Sequence, residues 1–232
     1  MSLLNVVRDV CAVVGVAAPT SVFASIGTNR TLFEMLACAN EMAQRIAYDT
    51  RDWTVLRKQH TFTGVDPAQE VFSLPADYKR MLLNTNLWQT TITQAPMRFV
   101  DDHDEWLRRR LNNDSNERGE WTLFGNEIHM SPGIASGTDV TFMYLEKNCV
   151  VLASGGLGDR FVSDDDTFRL DERLLKLGMT YDWKMKKGSP YAEDMGTYSD
   201  AIANAMGRDK PSPIYILGRG VPGLWRGEHA LY

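Results

Sequence analysis

Residues 31–63 read TLFEMLACANEMAQRIAYDTRDWTVLRKQHTFT, and a change of hydrophobic period within this stretch decides the fold class. From Thr31 to Ile46 apolar side chains recur at helical spacing, which predicts one broad buried helix face. Its members are Leu32, Met35, Leu36, Ala39, Met42, Ala43 and Ile46. From Trp53 the chain is instead rich in β-branched and aromatic residues between turn residues, which is typical of strands. We therefore expect a helix before residue 53 and β-structure after it.

A second helix is predicted at the start of the chain, over residues 2–14. Its apolar side consists of Leu3, Val7, Val10, Cys11 and Val14. Gly15, followed by Pro19, is expected to end it. For the helix beyond it, Thr31 and Glu34 have the spacing of a capping box, which predicts a beginning near Thr31.

Two more helices are predicted after residue 170. The first begins at Asp171 and ends at Gly188, after a last turn that is rich in lysine. Its buried side is expected to contain Leu174, Leu175, Met179 and Trp183. Ser189 and Pro190 are typical of the N-cap and first position of the other helix, which Gly207 should close. The predicted buried face of that helix consists of Tyr191, Met195, Tyr198, Ile202 and Ala205.

The middle of the chain is predicted to be mostly β-structure. The expected strands are Trp53–Thr63, Glu70–Leu74, Arg80–Trp88, Glu120–Phe124, Glu127–Met130 and Val140–Leu145. Gly125 and Asn126 tolerate positive φ, which predicts a tight hairpin. A short helix over Asp101–Leu111 is favoured because acidic residues precede basic ones, as the helix dipole prefers.

These elements predict an α+β fold with a discontinuous layout. Helices from both ends of the chain are expected to form a four-helix bundle from residues 1–52 and 166–208, with a β-rich insertion at 53–165. Residues 209–232 would form an extended C-terminal arm.

The C-terminal stretch is unusual because prolines and glycines exclude regular helix while apolar residues remain frequent. These are Ile214, Tyr215, Ile216, Leu217, Leu224, Trp225 and Tyr232. A disordered tail would rarely carry so much apolar surface. The segment either folds back onto its own subunit or docks on a neighbour with aromatic anchors, and we favour docking.

Composition restricts the function. The formal net charge is −5, whereas a free-standing nucleic-acid binder usually has a basic excess. Cys11, Cys38 and Cys149 are far apart, which favours buried thiols over disulfides or a metal framework. Arg8 and Asp9 interrupt the apolar start, so neither a signal peptide nor a membrane span is expected. A cytoplasmic origin of the protein is therefore expected.

No motif predicts catalysis, a cofactor or a metal. Glu127 and His129 share a strand face, but a solvated sheet face is favoured there. Asp164–Asp166 lacks the alternation of a calcium loop and is expected to be a solvated loop. Gly155–Gly158 does not match a dinucleotide-binding turn. The basic run Arg108–Arg110 is expected to be a solvated helix end or an ion pair between subunits.

Three short motifs resemble those of a known family. They are Trp53–Lys58 (WTVLRK) at a helix end, Phe72–Arg80 (FSLPADYKR), and Leu87-Trp88. Together they are similar to the head-to-tail adaptor proteins of tailed phages, which include podophage tail tubular and gatekeeper-type proteins. The match ends near Trp88, and beyond it only the architecture agrees. In physical terms Pro75 should end a strand and Asp77 should bond the backbone amides of the next turn.

The resemblance implies a non-enzymatic virion protein of the phage neck. It implies a ring of twelve copies that docks on the portal above and on tail, nozzle or stopper proteins below, with DNA passing through the lumen. Two alternatives stay open at this point. One is another neck component, such as a stopper or tail-completion protein. The other is a carbohydrate- or metal-binding β-module or enzyme with a site near Glu127 and His129.

Overall fold

The computed structural model describes residues 1–209 except 25–26, 66–68, 84, 92–94, 113 and 115–117. Within this part the fold is α+β, as predicted, with five α-helices and several sheets. The helices are α1 (Leu3–Val14), α2 (Arg30–Gln44), α3 (His103–Leu111), α4 (Glu172–Lys186) and α5 (Ala192–Arg208). The predicted C-terminal residues Ile214, Tyr215, Ile216, Leu217, Leu224, Trp225 and Tyr232 lie outside the described residues.

The first two helices form where apolar periodicity placed them. Gly15 ends α1 in the left-handed region at φ 75°, and the predicted apolar stripe of α2 is buried or partly buried. The predicted capping box was wrong, because the N-cap of α2 is Asn29. Its side chain accepts the backbone N–H groups of Thr31, at 3.0 Å, and Leu32, at 3.4 Å. After α2 the helix widens into a π-helical turn over Arg45–Asp49.

The helices after residue 170 form as predicted, but the start of α5 lies later than expected. Helix α4 follows Asp171, whose side chain caps it, and Gly188 has φ 69° after its end. Helix α5 begins at Ala192 instead of Pro190, because the backbone N–H of Ser189 donates to Lys184 at 2.9 Å and so completes the end of α4.

The predicted buried face of α5 was only partly right. Tyr198, Ile202 and Ala205 pack against the helical core, but Tyr191 and Met195 are exposed. Gly207 lies inside the helix, which continues to Arg208. Ala201 is the fully buried residue of α5, so this helix lies at the outside of the helical part.

Helix α4 is the centre of the helical part, since it contacts α1, α2 and α5. Gly178 permits this packing, because a Cβ there would lie 2.6 Å from Met42 Cε and 3.2 Å from Tyr198 Cε2. The apolar cluster of the helices also includes Cys149 and Phe161 from the chain that precedes α4.

Two four-stranded sheets form the β-rich part. The first contains β1 (Arg57–Thr63), β3 (Tyr78–Met81), β4 (Trp88–Gln89) and β8 (Asp139–Glu146), with β8 pairing to the other three. The second has the order β2 (Gln69–Ser73), β7 (Glu127–Ile134), β6 (Glu120–Phe124) and β5 (Arg98–Phe99). One apolar cluster, which includes Phe62, Phe72, Trp121, Ile128 and Phe142, is shared by both sheets, so the two pack against each other.

The hairpin prediction is confirmed, since Gly125 and Asn126 both have φ 63° between β6 and β7. Two strand predictions were too long. The first strand begins at Arg57, after a 3₁₀ turn over Thr54–Leu56, and the predicted Arg80–Trp88 strand is interrupted by a turn in which Thr85 donates to Leu82.

A third, small sheet was not predicted. It consists of β9 (Val150–Val151), β10 (Leu157–Gly158) and β11 (Thr167–Phe168), with β9 in the middle. The solvated loop predicted for Asp164–Asp166 is also corrected. The Asp166 carboxylate is fully buried and accepts the backbone N–H groups of Ala153, Val162 and Ser163, at 2.6–2.8 Å. Asp164 accepts those of Val22 and Phe23.

Candidate functional site

Trp53 and the Pro75–Tyr78 turn, from two of the three motifs, lie where helices and sheets join, whereas Phe72 and Leu87 belong to the core of the sheets. Trp53 is buried in the helical core, and its indole N–H donates to the carbonyl of Ile46 at 2.6 Å. This bond fixes the chain just after the π-helical turn of α2. We name the region where the helices meet the first sheet the joint. The Pro75–Tyr78 turn lies on its sheet side, where Tyr78 stacks on Tyr144 with ring centroids 5.8 Å apart. Trp53 and the Pro75–Tyr78 turn therefore lie at the connection between the helices and the first sheet.

Asp77 has a different role from the predicted one. Its carboxylate accepts Lys58 Nζ at 2.7 Å and the Tyr144 hydroxyl at 2.8 Å, so its main partners are side chains of β1 and β8. Burial alone would raise the pKa of Asp77, but the hydrogen bonds from Lys58 and Tyr144 outweigh it and hold the pKa below its usual value.

Glu146 is the buried centre of this joint. Its side chain is fully inaccessible and pairs with Lys58, at 2.7 Å, and with Arg169. Arg169 also donates to the carbonyls of Asn148, at 2.7 Å, and Val55, at 2.9 Å. The charged network thus joins the end of β8, the start of β1 and the chain that leads into α4. We name Lys58, Asp77, Glu146 and Arg169 the joint network.

The basic run on α3 is paired within the subunit. Arg108 and Arg109 both bind Glu105, and their hydrogen bonds lower the pKa of that carboxyl to about 2. Arg109 also binds buried Glu120 of β6 at 2.8 Å, and Arg110 binds Glu70 of β2. Arg109 and Arg110 therefore attach α3 to the second sheet, which the sequence did not predict. Arg108 pairs only within α3, and the side chains of Arg108 and Arg110 are 53% and 47% exposed, so the predicted solvated helix end is partly right.

Glu127 and His129 do share a face of β7, with 3.9 Å between Glu127 Oε2 and His129 Nε2. His129 stacks on Phe124 at 3.7 Å, nearly parallel to it, and burial lowers the pKa of the imidazole. The described residues contain no group of three or more His, Cys, Asp or Glu side chains that could hold a metal. Cys11, Cys38 and Cys149 are buried free thiols, as predicted.

A groove with a volume of about 560 Å³ lies between α2 and α4. Ala37, Cys38 and Trp183 supply its apolar lining. Four cations surround them, namely Arg30, Arg45, Lys186 and Lys187, together with the carboxylates Glu34 and Glu41. We name this cavity the α2–α4 groove. The sequence does not predict this groove, because its residues also fit an ordinary solvated helix surface.

A family model described as SU10 adaptor protein matches residues 1–214, which include all five helices and the three sheets. The chain belongs to the SU10 adaptor family. No curated protein matches it.

Membership makes this chain a phage head-to-tail adaptor, as the motif resemblance predicted. An SU10 adaptor is a structural component of the virion that associates with portal and tail components. No helix in the described part of the adaptor is long and apolar enough to cross a bilayer.

Asp209, the residue that follows α5, contacts the segment between α2 and β1. The Asp209 carboxylate accepts the Thr54 backbone N–H at 3.2 Å and the Thr54 hydroxyl, and it lies 3.4 Å from Arg51 Nε. Arg51 in turn donates to the carbonyl of Met206. The end of α5 is therefore attached beside the segment between α2 and β1, next to the joint network, and the predicted arm begins there.

Large apolar side chains are exposed at several other places on the adaptor. The most exposed are Leu111, at 84%, Leu83, at 79%, and Val65, at 77%, while Trp88 is 47% exposed on β4. Single exposed apolar residues are normal in soluble proteins and identify no site by themselves.

Proposed function

We propose that the adaptor assembles as a ring of twelve copies beneath the portal and joins it to the tail, with DNA passing through the lumen. Synthesis would take place in the host cytoplasm, followed by incorporation into the neck of the virion. The observation that carries the proposal is the family match over residues 1–214, because it includes both helical ends and the β-rich middle.

We further propose that residues 1–52 and 166–208 act as one four-helix bundle, with 53–165 inserted as a β-rich lobe. The contacts of α4 with α1, α2 and α5 support this division, because they bring helices from both ends of the chain together. The separate apolar cluster of the two large sheets supports a lobe with its own core.

The arm at 209–232 is proposed to dock on a neighbouring protein through Ile214, Tyr215, Ile216, Leu217, Leu224, Trp225 and Tyr232. Sixteen residue steps separate Asp209 from Trp225. Fully extended, they would span about 53–58 Å. A compact domain of this size has a radius of gyration of about 17 Å. The anchors can therefore reach a protein beyond their own subunit from the fixed exit at Asp209.

The charge of the adaptor fits a lumen that lets DNA slide. The formal net charge is −5. The arginines of the α3 run are already paired with Glu105, Glu120 and Glu70. Phosphate contacts dominate the affinity of proteins for DNA, so a net acidic chain whose one basic run is already paired should bind DNA weakly.

Electron microscopy of the full-length chain, alone and with its portal, tests the proposal. We expect rings that bind the portal. The double variant Tyr215→Ala/Trp225→Ala should remain folded but lose portal binding, because aromatic anchors carry most of the energy at such interfaces.

The matched control is Tyr215→Phe/Trp225→Phe, which retains two aromatic rings and should retain most of the binding. Normal incorporation of the alanine variant into particles would refute the docking arm. A chain that forms no ring even with portal present would refute the adaptor ring itself.

A further inference from the structure

We infer that a notch in the outer face of the first sheet, the face away from the second sheet, binds a neutral saccharide on the indole of Trp88. The notch is a cavity of about 350 Å³ beside β8. This function would be additional to the proposed ring and does not depend on it. The residues that line the notch are Gln59, Thr85, Asn86, Trp88, Thr141, Phe142 and Met143.

The notch exists because the chain leaves β8 between β3 and β4. Strand β3 pairs with β8 as far as Tyr144, and β4 resumes the pairing at Thr141, through Trp88. Phe142 and Met143 lie between these points and pair with no residue on this side in the part of the chain that the structure describes. Strands therefore hold both ends of the notch, so that its floor is fixed before any ligand binds.

Trp88 lies on the outer face of the sheet at the rim of the notch. Residues that are directly opposite in an antiparallel ladder share a face, so Trp88 lies beside Thr141 and Gln59 lies beside Met143. Nearly half of the Trp88 surface is exposed, and no ring or cation of the described chain stacks on its indole. A π-face is thus available to a ligand in the notch.

Two amide side chains in the lining have unused hydrogen-bonding groups. Gln59 and Asn86 make no side-chain hydrogen bond with any residue that the structure describes. Each amide has an N–H₂ group that donates and a carbonyl oxygen that accepts. The Thr141 hydroxyl shares one hydrogen bond with Thr61, at 2.9 Å, and retains capacity for another. The lining can therefore both donate hydrogen bonds to a ligand and accept them from it.

The chemistry of the lining selects a neutral ligand that carries hydroxyl groups. The described lining contains no charged side chain, so a phosphate, a carboxylate or an ammonium group would have no counterion there. A pyranose ring has a flat face of C–H groups, whose slight positive charge is attracted to the negative face of an indole. Its hydroxyl groups lie around the ring edge, where the free amides of Gln59 and Asn86 can bind them. The cavity volume is at the lower end of the range for small-ligand pockets, which suits a mono- or disaccharide.

A proline-rich peptide is the alternative occupant, since proline rings also stack on tryptophan. Such peptides dock in extended grooves that several aromatic side chains line. The described lining of the notch has only Trp88 on the outer face, because the Phe142 side chain belongs to the core between the two sheets. The short, neutral notch therefore favours a saccharide.

Titration calorimetry of the full-length chain with neutral sugars tests the inference. The probes are glucose, galactose, mannose and N-acetylglucosamine, together with a disaccharide of each. We expect saturable binding of at least one of them in the millimolar range. Trp88→Ala should weaken that binding by about tenfold or more, whereas Trp88→Phe retains a ring and should lose less. Gln59→Ala and Asn86→Ala should each weaken it several-fold, because each removes one hydrogen-bonding group.

Phe33→Ala is the matched control, because it removes an aromatic side chain that is 60% exposed on α2, and it should leave sugar binding unchanged. Absence of saturable binding by every sugar would overturn the inference, as would binding that survives Trp88→Ala. Trp88-dependent binding of a proline hexapeptide in place of the sugars would overturn it in favour of a protein partner. Tighter binding of glucose 6-phosphate than of glucose would contradict the neutral character of the site. Ring formation with portal is a separate measurement, so failure of the sugar site would leave the proposed function standing.

Discussion

Removing Glu146 should uncouple the helical part from the β-rich part. Its carboxylate is fully buried between Lys58, whose side chain is 38% exposed, and Arg169, whose side chain is 13% exposed. Breaking a buried ion pair by removing one partner costs about 3–5 kcal/mol, because a charge is left without compensation.

The partners that Lys58 and Arg169 retain decide where in the range of about 3–5 kcal/mol the loss of stability falls. In Glu146→Ala, Lys58 retains Asp77, and Arg169 retains the carbonyls of Asn148 and Val55. Both cations thus stay partly compensated, which puts the expected loss at about 3 kcal/mol. Glu146→Gln retains the shape and one acceptor, so the loss should be about 1.5–3 kcal/mol. Lys58→Met should cost less than Glu146→Ala, because Lys58 is partly exposed and Arg169 still pairs with Glu146.

Urea unfolding followed by circular dichroism measures these differences in the free energy of unfolding. Equal dependence of that free energy on urea concentration would show that each variant exposes the same surface on unfolding. A loss of about 3 kcal/mol corresponds to about 6–12 °C in Tm for a chain of this size. Glu127→Ala, on the partly exposed face of β7, is the control and should change stability by less than about 0.5 kcal/mol. A loss below about 1 kcal/mol for Glu146→Ala would refute the view that the joint network holds the two parts together.

Three further predictions concern local features. Asn29→Ala should cost about 1 kcal/mol in urea unfolding, whereas Thr31→Ala should cost less, because the Asn29 side chain caps α2. Asp166→Ala should cost about 2–4 kcal/mol by leaving three backbone N–H groups unpaired, and exposed Asp165→Ala should be nearly neutral; equal effects would contradict this assignment. The pKa of Asp77 is lower in the folded state, so its contribution is complete above the ordinary aspartate pKa of about 4 and is lost as pH falls through the folded value. Stability of Asp77→Asn should therefore fall less steeply in acid, which thermal unfolding between about pH 5 and 2 would measure.

The helices and the hairpin could be predicted because their signals are local. The stripe from Leu32 to Ile46 and the Gly125-Asn126 turn each depend on neighbouring residues alone. The N-cap of α2 was assigned to the wrong residue because Asn29 and Thr31 are both good caps and lie two residues apart. The third sheet was missed because its strands are two residues long, too short to show a period.

The joint network and the groove could not be predicted, because they depend on long-range contacts. Lys58, Asp77, Glu146 and Arg169 come from four separate segments, and each alone is typical of a solvated surface. Asp77 was expected to bond its own turn, since its partners on β1 and β8 cannot be identified without the strand pairing. The division at residues 53 and 165 and the ring itself stay predictions.

Three buried carboxylates of this adaptor lie where one segment of the structure meets another. Glu120 receives Arg109 and so attaches α3 to the second sheet, Glu146 joins β8 to the chain before α4, and Asp166 holds the loop before β11. Buried ion pairs are weak contributors to net stability compared with apolar packing, but they penalise every alternative orientation that leaves a charge unpaired. An adaptor associates with portal and with tail components, so its surfaces for the two must be held in a fixed relation. We therefore interpret these carboxylates as determinants of orientation, and expect apolar replacements of similar volume at the joint network to preserve folding while impairing assembly.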